Sequence, residues 1–481
     1  MRVVGLETEY GVSATLATAA GERRLGPDEV GRRLFRPVAE ELATTSVFLR
    51  NGGRLYLDVG SHPEYATAEC NRLGDLLAQD RAGDAIVATL AGRAAALAAA
   101  EGERVAFRVF KNNVDHYGNS YGSHENYQIA RELDLPDLAQ ALSGFLVARQ
   151  LLCGAGRIVK EGHSFTYAVS QRADVLWDAL AAGSTRARPL VNTRDEPHAD
   201  PERFRRLHVI SGDSTIAEAA TLVRVMSLDA VLRLVERGSG RRLSSWAPRD
   251  TAGAVRAVSR DPRGRATYDL ASGGTASALA VLSDVHDLAA ELDEPDPLWR
   301  RALGQWGRTV AALADDDPDR VAAEVDWVAK RRLLLGYAER HALRLGDERL
   351  ARLDLAYHEL GGPVQRALGR GGLQARVTTD DQVDRAVTTP PVTRALLRGR
   401  LVAAAGRHHR ATTVDWSSFT VKDLPGPATV VLGDPAAAAD PAVDDLVERM
   451  RTEPRRLPAP GVAGTAGVRA AEGQHDPGRP G

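Results

Sequence analysis

The opening stretch, MRVVGLETEY, restricts the fold more than any other part of the chain. Side chains on a strand alternate between two faces. Over residues 3–12, Val4, Leu6, Tyr10 and Val12 therefore share one side, and Glu7 and Glu9 share the other. Two carboxylates held close raise the cost of ionising each other. An exposed edge strand would leave them to solvent, whereas an interior strand requires a cation. Magnesium fits the second case, since it takes a few carboxylates together with phosphate oxygens and water.

A second strand, over residues 53–59, repeats the pattern. Leu55, Leu57 and Val59 form its apolar face; Arg54, Tyr56 and Asp58 line up on the other. After a turn at 60–63 come Glu64, Thr67 and Glu69, with a further strand expected over 65–69. If these strands are neighbours in one sheet, a single face gathers several acids beside Arg54. That arrangement suits a metal-bound triphosphate and a general base. Periodicity does not fix adjacency, so unrelated polar faces remain the alternative.

Elsewhere the chain reads as alternating short strands and helices. A helix is expected from Pro27, with Asp28 and Glu29 in its first turn, another over 73–100 and an apolar one over 138–153, stopped by Gly154 and Gly156. A strand is expected over 105–110. Residues 297–360 read as mainly helical with a break at 315–319, and 412–431 as a small strand-containing unit. From about 455 the chain is rich in Pro, Gly and Ala and reads as a disordered tail.

With 481 residues and a net charge of −2, nothing global points to nucleic acid or a membrane surface. The Ala-rich run 86–100 is too short to span a bilayer and reads as a buried helix. Two cysteines, Cys70 and Cys153, are too few for a disulfide framework and read as buried filler. No secretory signal opens the sequence, and a reducing cytoplasm is expected.

Three polar clusters lie at strand ends or in loops: Lys111–Asp115, residues 118–127, and residues 192–208 with Arg203, Arg205, Arg206 and His208. Each reads either as turn and solvated loop or as part of a site. Arg205 and Arg206 are candidates for phosphate or acidic-peptide contacts. His124 and Glu125 do not form a zinc pair, for no ligands follow at suitable spacing. Neither a GxxxxGK[ST] loop nor a GxGxxG fingerprint is present, so any ATP site is of another type.

Several stretches are similar to one known family. GLETEYGV, VFLRNGGRLYLDVGSHPEYATAEC, KNNVD, NSYGSHENY, RQLLCGAG, NTRDEPHAD and RRLHVISGDS closely resemble the Pup ligases and their hydrolase paralogues, relatives of glutamine synthetase. The resemblance runs from the first residues to VDW at 414–416. It implies an α+β fold: a glutamine synthetase-like domain over 1–385 with a curved, mainly antiparallel sheet backed by helices. A small C-terminal domain over 386–454 and the tail 455–481 would follow. It also implies that ATP, with Mg²⁺, phosphorylates the γ-carboxylate of the C-terminal glutamate of Pup, a small protein tag. A lysine ε-amine of a substrate protein then displaces phosphate, and the isopeptide bond marks that protein for the proteasome.

Carried over by position, the resemblance makes Glu7, Tyr56 and Glu64 magnesium ligands, Arg54, Thr67 and Trp416 ATP contacts, and Asp58 the base. Glu9 is a second metal candidate by strand parity. The hydrolase paralogue, a Pup deamidase and depupylase, is the alternative on the same scaffold. A short segment between Val12 and Val47 favours the ligase, while Tyr10 and KNNVD lean towards the hydrolase. A non-catalytic tag-binding scaffold and a ligase for small metabolites complete the alternatives.

Overall fold

A computed structural model describes residues 2–58, 60–115, 118–181 and 188–456. Val59 and the residues from 457 onward, most of the expected tail, lie outside the described residues.

In chain order the strands are β1 (Val4–Glu9), β2 (Gly11–Thr18), β3 (Gly21–Arg24), β4 (Ser46–Phe48), β5 (Arg54–Leu57), β6 (Pro63–Ala66) and β7 (Val105–Phe110). There follow β8 (Ser123–Ala130), β9 (Arg157–Glu161), β10 (Ser164–Ala168), β11 (Asp178–Ala181), β12 (Pro189–Asn192) and β13 (Phe204–Val209). Eight of them form one sheet in the order β11-β12-β13-β8-β1-β6-β5-β4, antiparallel except for β11–β12. The opening strand is therefore interior, between β8 and β6, and β5 lies one strand further out. The adjacency that periodicity leaves open is thus met through β6.

The face of this sheet bearing Val4, Leu6, Tyr127, Ile129, Leu207 and Val209 joins the main core with apolar side chains chiefly from helices α3 (Leu135–Cys153) and α4 (Glu218–Leu234). Helix α1 (Pro27–Leu42) packs on a second core of Tyr10, Leu34, Phe35, Leu55, Tyr65 and Val87. The helix α2 (Leu73–Ala100) serves both: Leu73, Leu76 and Leu77 enter the first core, Val87 and Leu90 the second. It is the one helix among the described residues long and apolar enough to cross a membrane by length and composition. Its 28 residues make it longer than the Ala-rich run alone suggests.

Two expectations are corrected. Residues 3–12 are not one strand: β1 ends at Glu9, and β2 pairs with β3 and β7 in a separate sheet. Val4 and Leu6 consequently enter a different core from Tyr10. Tyr10 is held at the crossing by its amide on the Pro63 carbonyl (2.9 Å) and its hydroxyl on Asp84 (2.8 Å). A Cβ at Gly11 would lie 2.7 Å from the Tyr121 hydroxyl, so only glycine passes between the sheets there. The strand expected over 65–69 is β6, which ends at Ala66. Thr67 then replaces a ladder bond with its side chain, Oγ1 accepting from the Leu6 amide at 3.0 Å, before Cys70 pairs again with Val4. Such a bulge re-aims the residues within it.

Towards the C-terminus, helices Pro297–Ala314 and Asp326–Arg340 flank the expected acidic break. Helix Asp380–Thr388 packs Ala386 against Ala78 and Ala82 of α2. From helix Arg394–Arg407 onward the chain builds a core of its own with the three strands at 412–431 and helix Pro441–Thr452. Both cysteines are buried and free.

Candidate functional site

The other face of the large sheet carries the polar residues. Ladder register sets Glu9 opposite Glu64 and Glu64 opposite Tyr56, a row across β1, β6 and β5. One step along, Glu7 lies opposite Ala66, and Ala66 opposite Arg54. On its other flank Glu7 pairs with His124 of β8, and His208 of β13 lies opposite Asn126. Glu7, Glu9, Arg54, Tyr56 and Glu64 are thereby brought to one face. Asp58 joins them from the end of β5, where its amide donates to the His62 carbonyl (2.9 Å) and its own carbonyl accepts from the Ser61 amide (3.1 Å).

The acids form two groups. Carboxylate oxygens of Glu9, Asp58 and Glu64 lie within 4.8 Å of one another, and the same holds for Glu7 with ring nitrogens of His124 and His208. Among the described residues, Glu9, Asp58 and Glu64 make no ion pair. Burial raises the Glu9 carboxyl, and Asp58 adds to the rise. Burial likewise pushes Glu64 well above the usual carboxylate range, reinforced by Glu7 and Glu9. The Tyr56 hydroxyl is raised by burial and by the charges of Glu64 and Glu7. Glu7 is the exception. Burial would raise it, but hydrogen bonds from His124 (3.1 Å) and His208 outweigh that and hold it well below its usual range. Burial lowers His124 itself.

Arg54 rests on the rings of Tyr56 (4.6 Å) and Phe48 (5.6 Å), donates to the Ser46 hydroxyl and makes no ion pair among the described residues. Trp416 meets the same Phe48 edge-on at 5.0 Å. A cleft opens here between the sheet face (Gly5, Glu7, Thr67, Arg206) and a roof of Trp416 and His198.

Of the two arginines singled out for anion contacts, Arg206 and Arg205 diverge, as neighbours on a strand must. Arg206 bonds Asn126 Oδ1 on the site face (2.6 Å), whereas Arg205 donates to the Leu133 carbonyl (2.8 Å). Lys111 is buried against Asp80 and Asp84 at 3.0 and 3.2 Å, a structural pair rather than a loop contact. Glu125 points away from His124 and pairs with Arg149 in the interior (2.8 Å).

The sequence places His124 and His208 only in polar clusters whose role it leaves open, and gives no sign of Arg172. His124 finds its partners in strands 117 and 84 residues away in the chain, too distant for any spacing rule, although the shared parity of Arg206 and His208 hints at the face. Arg172 is 4% exposed, its Nε lacks a hydrogen-bond partner among the described residues, and burial lowers it to about 10 despite the charge of Glu9. It carries no sequence signal beyond its charge.

The family model described as Pup-ligase protein matches residues 2–420. A Pup–protein ligase of Actinosynnema mirum is 45% identical over 452 residues, covering 93% of this chain and 99% of the relative. One from Mycolicibacterium smegmatis is 44% identical over 455 residues with the same coverage. Among solved structures, the ligase PafA in complex with the prokaryotic ubiquitin-like protein Pup superposes with a TM-score of 0.86 at 40% identity, covering 94% of this chain and 92% of that one. PafA in complex with ADP gives 0.79 at 40% identity, covering 89% and 94%. The fold is thus the expected α+β, glutamine synthetase-like one, and the chain belongs to the Pup ligase family.

Proposed function

We propose that this chain is an ATP- and magnesium-dependent ligase of the cytoplasm. It activates the C-terminal glutamate of Pup and joins the γ-carboxyl to lysine ε-amines of substrate proteins. The observation that carries the reading is the meeting of Glu7, Glu9, Tyr56, Asp58 and Glu64 on one sheet face, beside Arg54 and the cleft roofed by Trp416. Residues 1–385 form the catalytic domain in this reading, and 386–454 a small domain whose own core begins at helix Arg394–Arg407.

The donor set fits magnesium. Among the described residues Glu64 has no cation paired to it, burial and the charges of Glu7 and Glu9 push it far up, and the Tyr56 hydroxyl bonds to it, so these oxygens make a site in need of positive charge. Glu7, Tyr56 and Glu64 would hold the ion, with Glu9 within reach. When bound, it supplies charge that offsets the triphosphate and steadies phosphoryl transfer.

Arg54, Thr67 and Trp416 hold the nucleotide. A γ-carboxylate oxygen of the terminal glutamate bonds to the γ-phosphorus of ATP, and ADP leaves. The lysine nitrogen then bonds to the acyl carbon, and phosphate departs with the electron pair of the C–O bond. A lysine ammonium has no free electron pair near neutral pH, so its proton must first be removed. Asp58 takes it: the residue is half-buried at the mouth of the site, while Glu64 is 3% exposed. Arg172, held by its Nη1 on the Ile210 carbonyl and without an Nε partner among the described residues, adds positive charge beside Glu9.

The test uses purified protein, ATP, Mg²⁺, a lysine-bearing protein and Pup ending in Glu or in Gln. Conjugate and ADP from the Glu form are expected. Turnover confined to deamidation of the Gln form would make the chain a hydrolase. Tight Pup binding with no turnover would make it a scaffold.

A further inference from the structure

Glu69 lies off the row of acids described above, although with Arg394 it lines the wall of the same cleft. The bulge at Thr67 turns it away from β6, towards two arginines one turn apart on helix Arg394–Arg407. Arg394 donates Nε and Nη2 to Glu69 Oε1 at 2.9 and 2.6 Å. Arg398 donates Nη1 to the same oxygen at 3.0 Å and Nη2 to Oε2. All three residues are buried.

The same guanidiniums reach further. Arg398 donates to the carbonyls of Gly52 (2.6 Å) and Trp416 (3.0 Å), and lies 4.8 Å from the centre of the Trp416 ring. Arg394 donates to the carbonyls of His198 (2.7 Å) and Leu432 (2.9 Å). His198 has φ 50, a left-handed conformation that a non-glycine residue keeps only where its surroundings impose it. One carboxylate thus organises both pieces of the cleft's roof.

We infer that Glu69 is a positioning residue of the nucleotide site: through Arg394 and Arg398 it fixes Trp416 and the His198 loop over the cleft. The inference rests on the reading of that cleft as the nucleotide site. An apolar contact would join the C-terminal unit to the sheet as firmly, because burying charges costs solvation that their attraction often fails to return. What the ion triad adds is direction. A guanidinium is a rigid planar fork, so once Glu69 orients both, the Trp416 carbonyl and ring have one place to sit.

The test measures ADP affinity by calorimetry and the ATP dependence of conjugation in full-length E69Q, R398K and W416A. E69Q leaves both guanidiniums without a counter-charge, and R398K keeps the charge but loses the fork. For both, the Kd for ADP and the KM for ATP are expected to rise about tenfold, with kcat at saturating ATP and the KM for Pup within about twofold of wild type. R398K carries the test if E69Q does not fold. If W416A weakens ADP binding while the folded positioning variants bind as wild type, the inference falls alone. If W416A itself binds ADP as wild type, the reading of the cleft falls and takes the inference with it. A loss of kcat at unchanged ADP affinity also overturns the inference, because that marks a general structural effect.

Discussion

Glu7 and Glu9 stand two residues apart on the same face of β1, yet their carboxylates belong to different groups. Glu7 lies within 4.8 Å of His124 and His208, and Glu9 within the same distance of Asp58 and Glu64. The division follows from sheet order. β1 is interior, so one glutamate leans towards β8 and β13 and the other towards β6 and the end of β5. The consequence is a held-down carboxylate at Glu7 beside a raised pair at Glu9 and Glu64, two environments within one row.

Asp58 is the only member of the second group set in a turn at the mouth of the site. Asp58→Asn should lower kcat for conjugation by about 10²–10⁴, the usual worth of a general base. ADP affinity should stay within about twofold of wild type, since the change removes charge without touching the cleft. A gel assay of conjugate together with calorimetric ADP titration checks both halves. Full activity would remove Asp58 as the base.

Glu64 is buried among like charges, so the metal-free protein carries repulsion that a cation would relieve. Mg²⁺ alone should raise the melting temperature of the wild type, as any ligand of the folded state does. Glu64→Gln should raise the melting temperature of the metal-free protein and shrink the rise that Mg²⁺ produces. Thermal melts with EDTA and with Mg²⁺ read out both. A metal-free variant that melts below wild type and keeps the full Mg²⁺ response would contradict the assignment.

The legible part of this site was what strand parity controls. Glu7 and Glu9 on β1, and Arg54 and Tyr56 on β5, face the site as alternation requires, because each strand stays in one sheet over that stretch. Parity carried past Tyr10 misleads, since period-two alternation has no way to register that the chain has changed sheets at Gly11. The meeting of His124 and His208 at Glu7 was illegible for a different reason: sheet order, a long-range property, brings them together. Thr67 and Glu69 show a third limit. Both were read as members of a strand, but a side chain substituting for one backbone bond ends the strand and sends Glu69 to another partner.

Gly83 of α2 supports the site from beneath. A Cβ there would lie 2.2 Å from Cδ1 of Tyr65, the neighbour of Glu64. That ring is fixed, with its hydroxyl accepting from Asn51 (2.9 Å) and donating to Gln79 (3.0 Å). Gly83→Ala should therefore cost about 1–3 kcal/mol of stability through overpacking. Gly92 in the same helix has open space around it, so Gly92→Ala should instead stabilise by up to about 1 kcal/mol. Denaturant unfolding of the pair separates packing from helix propensity. Equal effects of the two would show that Tyr65 can yield.

Glu69 gives the fold a defined acid response. Burial alone would raise its pKa, but Arg398 and Arg394 outweigh that and hold it at about 2, against 4.5 for a free glutamate. A carboxyl depressed in the folded state contributes stability that is fully present above its unfolded pKa and is lost as the pH falls through the folded one. The window is therefore pH 4.5 down to about 2, and the contribution at stake is roughly 3 kcal/mol. Stability of the wild type should fall through that window more steeply than that of Glu69→Gln, which has no proton to bind there. Above pH 5 the two profiles should run parallel, with the variant lower because its arginines lack their counter-charge. Unfolding free energies measured by denaturant at intervals between pH 2 and 7 decide the matter: identical slopes below pH 4.5 would mean that the arginines do not hold Glu69 ionised.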